Sequence, residues 1–501
     1  MELTMRILVR SCFFFVVIFA GITAQNGTRM LGLDARSVGR GGTSIGTFDS
    51  PELMMTNPAG ISFLNNSMLN ADIALMFPTV KFQNTINDTE GDKNTFPMPN
   101  VAYAHKYENS PFNWGAGFFT GGGMGADFTL KHALYRNQDG SYNLQKYHSM
   151  LATMQGGLTA AYKFSPKFSV GVSLHMVYSM LEFSMPYSLN PSIMKGTAMP
   201  GMTFGQMFAA PPSQGGFGYT EVTATAEMKE LTAIGFNGKI GVAYKVNEEL
   251  SMGLSYTLPT NLTYKNGKAS MDMTAQLNDA FGKAVAGYMQ QNPGKTPAEA
   301  QAAVAAQFGG MGIDLSKGVL ANYDLSVELN FPQTIGFGLS YKATPKLNLS
   351  ADFEWVNWEK AFDKMTIKLT NGTNSNINTM LGNTGAFDLE FPMNWKNSFV
   401  IKVGGEYKFS DKFEGRLGYA YGSNPVPETT VFPVFPAIVE HHVMAGLSFN
   451  ASRALTLNAA FEMALNKSYT ASNPSLIAAE YSASTSQLAT TLIHFSATYN
   501  F

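Results

Sequence analysis

The sequence predicts an all-β protein, a transmembrane antiparallel β-barrel of about fourteen strands. Three observations point there: long segments of period-two alternation, tight turns that alternate with long loops, and a composition 45% apolar yet only 14% charged. Strands of soluble proteins average about 5–6 residues, whereas strands tilted across a bilayer need roughly ten. With 34 basic against 36 acidic residues there is no basic excess to attract nucleic acid. A mean hydropathy of −0.04 is too low for a bundle of membrane helices. No run approaches the ~18 apolar residues that a spanning helix requires.

The N-terminus reads as a secretory signal. Arg6 and Arg10 precede an apolar run from Cys12 to Ala20, followed by Gly21-Ile22-Thr23-Ala24. A basic start, a short apolar stretch and a small residue at the end give a signal peptide over 1–24 with cleavage after Ala24. Cys12, the single cysteine, would leave with it. No disulfide, thiolate metal site or cysteine nucleophile is then expected.

Alternation begins near residue 68. In 346–358, Leu347, Leu349, Ala351, Phe353 and Trp355 alternate with Lys346, Asn348, Ser350, Asp352 and Glu354. In 455–466, Leu455, Leu457, Phe461, Met463 and Leu465 fall on one face. Strands are predicted at 68–83, 97–107, 112–120, 150–164, 167–183, 232–246, 249–265, 333–343, 346–360, 396–410, 413–422, 440–450, 453–467 and 488–501. Tight turns at Ser165-Pro166, Asn247-Glu248, Thr344-Pro345, Ser410-Asp411-Lys412 and Ala451-Ser452 mark one side. Long loops, above all 184–231 and 266–332, mark the other, with 423–439 among the shorter ones. Such an arrangement puts both termini in the periplasm of a Gram-negative cell, and a closed barrel leaves no unpaired edge in lipid. The last residues, Phe495 to Phe501, alternate aromatics and end on Phe, as outer-membrane barrels do when presented to their assembly machinery.

Within the loops, Met202, Phe204, Met207 and Phe208 are large apolar side chains in a segment that should meet water. Phe281 lies on a helical stripe, and Thr296-Pro297-Ala298-Glu299 reads as a capping box opening a helix through Val304 and Phe308. These six residues, Met202 to Phe208 with Phe281 and Phe308, are expected to form a capture groove for a greasy ligand, Met being the adaptable lining. The third strand runs through Phe118 and Phe119 into Gly121-Gly122-Gly123, and glycine inside a strand marks a bulge or lost pairing. A break in the wall over 112–125, lined by Phe118, Phe119 and Phe128, is therefore expected. Arg416 falls on the lumen face beside Glu414, either as a wall ion pair or as a cation for a ligand carboxylate.

Two blocks carry a family resemblance. One is Gly39-Arg40-Gly41-Gly42 followed by Asn57-Pro58-Ala59-Gly60, and the other is Arg416-Leu417-Gly418-Tyr419 followed by Asn424-Pro425-Val426-Pro427. With Trp395 and the terminal Phe501, they resemble the FadL family of outer-membrane long-chain fatty-acid transporters, whose sibling branch takes up toluene- and xylene-like hydrocarbons. The resemblance implies a barrel over 68–501 closed by an N-terminal hatch over 25–67. It further implies passive uptake by loop capture, hatch-gated passage and lateral release at the third strand. The partners it implies are a hydrophobic small molecule, outer-membrane lipid with lipopolysaccharide, and the barrel assembly machinery, with the protein a monomer that needs no cofactor or metal. Gly422-Ser423-Asn424 departs from the acidic residue that the family often has there.

Other signals are weaker. Gly294-Lys295-Thr296 lacks the upstream glycine of a phosphate loop. The neighbours His441 and His442 point to opposite faces of a strand, while His175 and His494 fall on the lumen side. No nucleophile elbow is present, so an enzyme is not expected. An outer-membrane acyl hydrolase, and a plain porin or adhesin, are the readings from other classes.

Overall fold

The computed structural model describes residues 27–501, and the expected signal peptide and its cleavage site lie outside them. Among the described residues fourteen antiparallel strands close a barrel. The strands are β1 Met68–Gln83, β2 Phe96–Lys106, β3 Phe112–Leu130, β4 Gln145–Ser165, β5 Phe168–Leu189 and β6 Val222–Lys245. They continue as β7 (Leu250–Thr257 with Thr260–Asp272), β8 (Leu320–Phe331 with Thr334–Thr344), β9 (Leu347–Val356 with Lys364–Thr370) and β10 (Phe387–Pro392 with Ser398–Lys408). The last four are β11 Phe413–Gly422, β12 His441–Asn450, β13 Leu455–Thr470 and β14 Thr485–Asn500. Closure is made by β14 on β1, in register from Met68↔Asn500 to Gln83↔Thr485.

Alternation decides which side chain faces where. Leu174, Ile234, Phe236, Leu417 and Leu447 point outward and are more than 60% exposed, while their neighbours point into the tube. Tyr162, Phe164, Tyr244, Tyr341, Tyr407, Phe409, Phe413 and Tyr499 ring the tight-turn end as an exposed aromatic belt. An apolar exterior on a sheet without edges is the arrangement that a bilayer tolerates. No described helix is long and apolar enough to cross a membrane.

The barrel has two storeys. Strands β7 to β10 are each interrupted about ten residues above their tight turns, at 258–259, 332–333, 357–363 and 393–397. Ten tilted residues span roughly 25 Å, the height of a lipid-facing band. Above the interruptions the outward side chains become charged and pair across strands: Lys268 with Asp324 at 2.7 Å, Lys368 with Glu328 at 2.7 Å, Lys364 with Glu390 at 2.5 Å. Inward, Tyr264, Leu325, Val327 and Ile367 stay buried. The strands therefore run on beyond the membrane. The loops expected over 184–231 and 266–332 shrink to 190–221 and 273–319, because an apolar outer face ends at the lipid whereas hydrogen-bonded pairing does not.

Inside the lower storey lies the N-terminal segment. Its short helix α1 (Ala35–Gly39) packs on β11 to β14, and the 3-10 turn Pro58–Phe63 packs on β4, β5 and β6.

Candidate functional site

The N-terminal segment is seated by backbone as much as by side chains. Gly41 has φ +76, and a Cβ there would lie 2.6 Å from the Val403 carbonyl of β10. Facing it, a Cβ on Gly418 of β11 would come within 1.9 Å of the Gly41 nitrogen. Glycine on both sides is what lets main chain rest on main chain. Gly39 and Gly42 complete the turn, against Gly446 of β12 and the Leu31 carbonyl. Asn57 donates from its amide to Ile45 O within the segment and to Val242 O of β6, each at 2.9 Å. Pro58 opens the 3-10 turn, Ser169 of β5 donates to Ala59 O at 2.8 Å, and Gly60 is covered by Phe48 and Leu53.

Charges hold the tight-turn end. Arg40, 1% exposed, bonds Asp49 through both terminal nitrogens, at 2.6 and 3.2 Å, and reaches Glu406 of β10 at 3.3 Å. Arg36 joins Asp49 at 3.2 Å and Glu406 at 3.3 Å. Arg416 is placed in the lumen, as its phase required, and is fully committed. It contacts Glu406, Glu414 at 2.9 Å and Ser448 at 2.6 Å, with no side-chain exposure. Three arginines and three carboxylates balance, so Arg416 has no charge left for a ligand. Two lumen histidines are likewise paired with wall carboxylates: His494 faces Asp72 at 3.4 Å and His442 faces Glu462 at 3.1 Å.

A second charged group sits higher. Glu354 of β9 receives Arg29 at 2.7 Å and Lys402 at 2.6 Å, and Lys402 also donates to Leu31 O at 2.9 Å. With Lys239 of β6 these residues line a polar chamber above the segment, bounded also by Gly121 of β3 and Gln155 of β4. Among the described residues Lys239 has no hydrogen-bond or ion-pair partner, although it is 8% exposed. The chamber thus brings three basic side chains to one carboxylate. Alternation places Lys239 inward, but nothing in the sequence marks it as the unpaired one.

Strand pairing lapses beside this chamber. β3 pairs with β4 along its whole length, with a bulge at Gly121, so the strand itself does not break. Its pairing with β2 stops at Val101↔Phe118, although β2 runs on to Phe96 against β1. Beyond that rung, Thr120 donates to the Asn100 side chain at 2.8 Å and its hydroxyl to Pro99 O at 3.0 Å. Contact resumes only where Asp92 N reaches Asp127 O at 2.9 Å. The signal that sequence reading passed over is Phe96-Pro97-Met98-Pro99. Pro99 directs its carbonyl at β3, so its missing N–H, and that of Pro97 two residues away, are the donors β3 would have used.

Phe118 faces outward at this lapse, 43% exposed, whereas Phe119 faces the lumen, fully buried beside His175. Phe128 lies higher and packs edge-on against Phe82 at 6.5 Å. Gly122, at φ +125, forms a β-bridge with Arg29, and a Cβ there would meet Thr28 O at 2.1 Å. Thr28 and Arg29 therefore cover this stretch from inside; Gly123 continues the pairing to β4. Behind it is a methionine cluster of Met76, Met98, Met150 and Met180, with Met30 and Met154 against it.

In the upper storey an apolar cavity is lined by Phe183, Tyr187, Met194, Met228, Tyr323 and Phe391, among others. None of the six residues expected as a capture groove lines it. Phe204, Met207 and Phe208 are buried within their own loop, Phe208 against Phe217 at 5.3 Å and Tyr219 at 5.6 Å, and Met202 is half-buried beside them. Phe281 meets Phe308 at 5.7 Å between the helices Thr274–Gln291 and Pro297–Gly310, the second opened by the Thr296–Glu299 capping box. Rings brought together by a loop satisfy each other, and the space falls instead at the strand tops. No described cluster of three or more His, Cys, Asp or Glu is arranged for a metal.

The sequence profile of the family described as Outer membrane protein transport protein (OMPP1/FadL/TodX) matches residues 16–501. No curated protein sequence matches the chain. In fold it is similar to the Pseudomonas putida toluene transporter TodX, with a TM-score of 0.67, 16% identity and coverage of 95% of this chain and 100% of that one. A Pseudomonas aeruginosa FadL homologue gives 0.66, 17% identity and coverage of 95% and 100%. The Ralstonia pickettii toluene transporter TbuX gives 0.62, 18%, and coverage of 94% and 98%.

Proposed function

Since the chain belongs to the outer membrane protein transport family (OMPP1/FadL/TodX) and is an outer-membrane channel protein for hydrophobic compounds, we propose that its ligands are long-chain fatty acids. The observation that carries this choice is the chamber of Arg29, Lys239 and Lys402 around the single carboxylate of Glu354. A buried lysine with no ion-pair partner, beside two other basic groups, is disfavoured in its charged form, and a ligand carboxylate in the chamber would favour it. A hydrocarbon offers nothing to Lys239. The apolar upper cavity accepts either class, which keeps hydrocarbons such as toluene, which the transporters TodX and TbuX carry, as the second reading.

In this reading the ligand loads in the upper cavity, descends to the chamber, and leaves sideways between β2 and β3 when Thr28 and Arg29 withdraw. The segment 25–67 acts as the hatch. A long acyl chain prefers lipid to water by more than ~10 kcal/mol, so release into the bilayer is downhill and needs no energy coupling. The protein works as a monomer, with no catalytic step. Lys239→Gln should lower uptake of radiolabelled oleate and leave toluene uptake unchanged. Equal loss of both, or no loss of oleate, would remove the fatty-acid assignment.

A further inference from the structure

Between β11 and β12 the chain does not loop outward as its length suggests. Residues 423–440 contain Val431-Phe432-Pro433-Val434-Phe435-Pro436, and Val431, Phe432, Val434, Phe435 and Ile438 are all 4% exposed or less. Such a run cannot stand in water, and its prolines reduce the number of N–H groups that burial must satisfy. Ser149, facing inward on β4, donates its hydroxyl to the Val434 carbonyl. β4 lies half the circumference from β11, so this bond spans the lumen. Phe435 stacks on Phe183 of β5 at 5.8 Å, and Phe432 packs on Phe391 of β10 at 5.3 Å. Residues 471–484 rest on top: Ser472 N bonds Glu428 O and Leu476 N bonds Thr429 O, both at 2.8 Å.

From this crossing we infer that residues 423–440 are a second closure of the channel, an outer strap independent of the N-terminal segment. Phe183 and Phe391, on which its rings lie, also line the upper cavity. Anything leaving that cavity for the chamber must part those contacts. The strap's hold on the far wall is one hydroxyl–carbonyl bond and ring contacts, which separate without unfolding a strand. Prolines at 425, 427, 433 and 436 keep the segment stiff, so it swings as a unit.

The inference rests on the uptake reading, and one experiment separates the two. In the S149C/V434C protein, shown to be folded by its heat-dependent gel mobility, oxidation should abolish uptake of both oleate and toluene, and reduction should restore it. Ser149→Ala, which removes the tether alone, should raise uptake by up to about fivefold, the factor one ordinary buried hydrogen bond supplies. Wild-type cells that import neither probe refute the uptake reading. Wild-type import that persists in the oxidised protein refutes the strap alone, and so does a folded pair whose thiols never join, because the strap then does not rest on Ser149.

Discussion

Asn57 holds two carbonyls, one of the N-terminal segment and one of the wall, with a single side-chain amide. Asn57→Ala removes both bonds, each worth about 1 kcal/mol, and leaves every strand pair intact. We expect impaired uptake with an unchanged melting temperature of the barrel, read by transport assay and heat-modifiable gel mobility on the same preparation. Glu480, in the loop above the strap, behaves differently. Burial pushes its carboxyl from 4.5 up to about 7, with Tyr147 donating to it at 3.0 Å, the His132 ring 3.8 Å away without a hydrogen bond, and Glu221 nearby. His132 is itself held down to about 4 by burial, so it stays neutral through that window. A raised folded-state value means the docked loop binds the proton that the free loop releases. Docking is therefore strongest below pH 4.5, weakens as pH rises towards 7, and is constant above it. Amide exchange of residues 471–484 should accelerate over that range, and Glu480→Gln should flatten the profile. At this scale the sequence was informative about phase and about the nearest company, the Glu414 that pairs with Arg416 at 2.9 Å, and silent about the rest. Arg416 read correctly as inward by alternation, but its three partners come from three different places in the chain.

At the scale of elements, the lapse in pairing between β2 and β3 is a property of two strands, not of one. Glycines in β3 drew attention to it, yet β3 keeps its partner β4 throughout, and the prolines of β2 remove the donors. Joining the strands just above their last rung, at N100C/T120C, should stop oleate uptake when oxidised and restore it on reduction. Normal import through the oxidised, folded barrel would exclude release at this place. Removal of residues 25–60 should leave the barrel assembled, since the strands pair without them, and abolish selective uptake; selectivity that survives would deny the segment its gating role. The strands were legible because lipid writes a strict period of two on their outer face. Where β4 to β8 rise above the lipid that script changes, and the sequence reading stopped too early. Residues 423–439 are the loop that the sequence predicts, but loop length says nothing of direction, although their Val-Phe-Pro composition already argued against water.

The whole molecule is a closed barrel of fourteen strands that carries an upper storey built from the strands rising beyond it, β2, β11 and β12 ending below. The two storeys do not share a solvent. Below the interruptions the barrel faces lipid; above them it carries paired charges outward and apolar side chains inward. The expected measurement is a β-dominated circular-dichroism spectrum in detergent, together with fractionation in the outer membrane. The interruptions of β7 to β10 lie at one height, and there the ladder of hydrogen bonds has already lapsed over two to seven residues. They act as an expansion joint. A residue gained or lost above that line can be taken up where no register has to be kept, and the rows below need not shift. The upper storey is thereby free to vary in length and shape, to suit one guest or another, over a foundation that never feels the change.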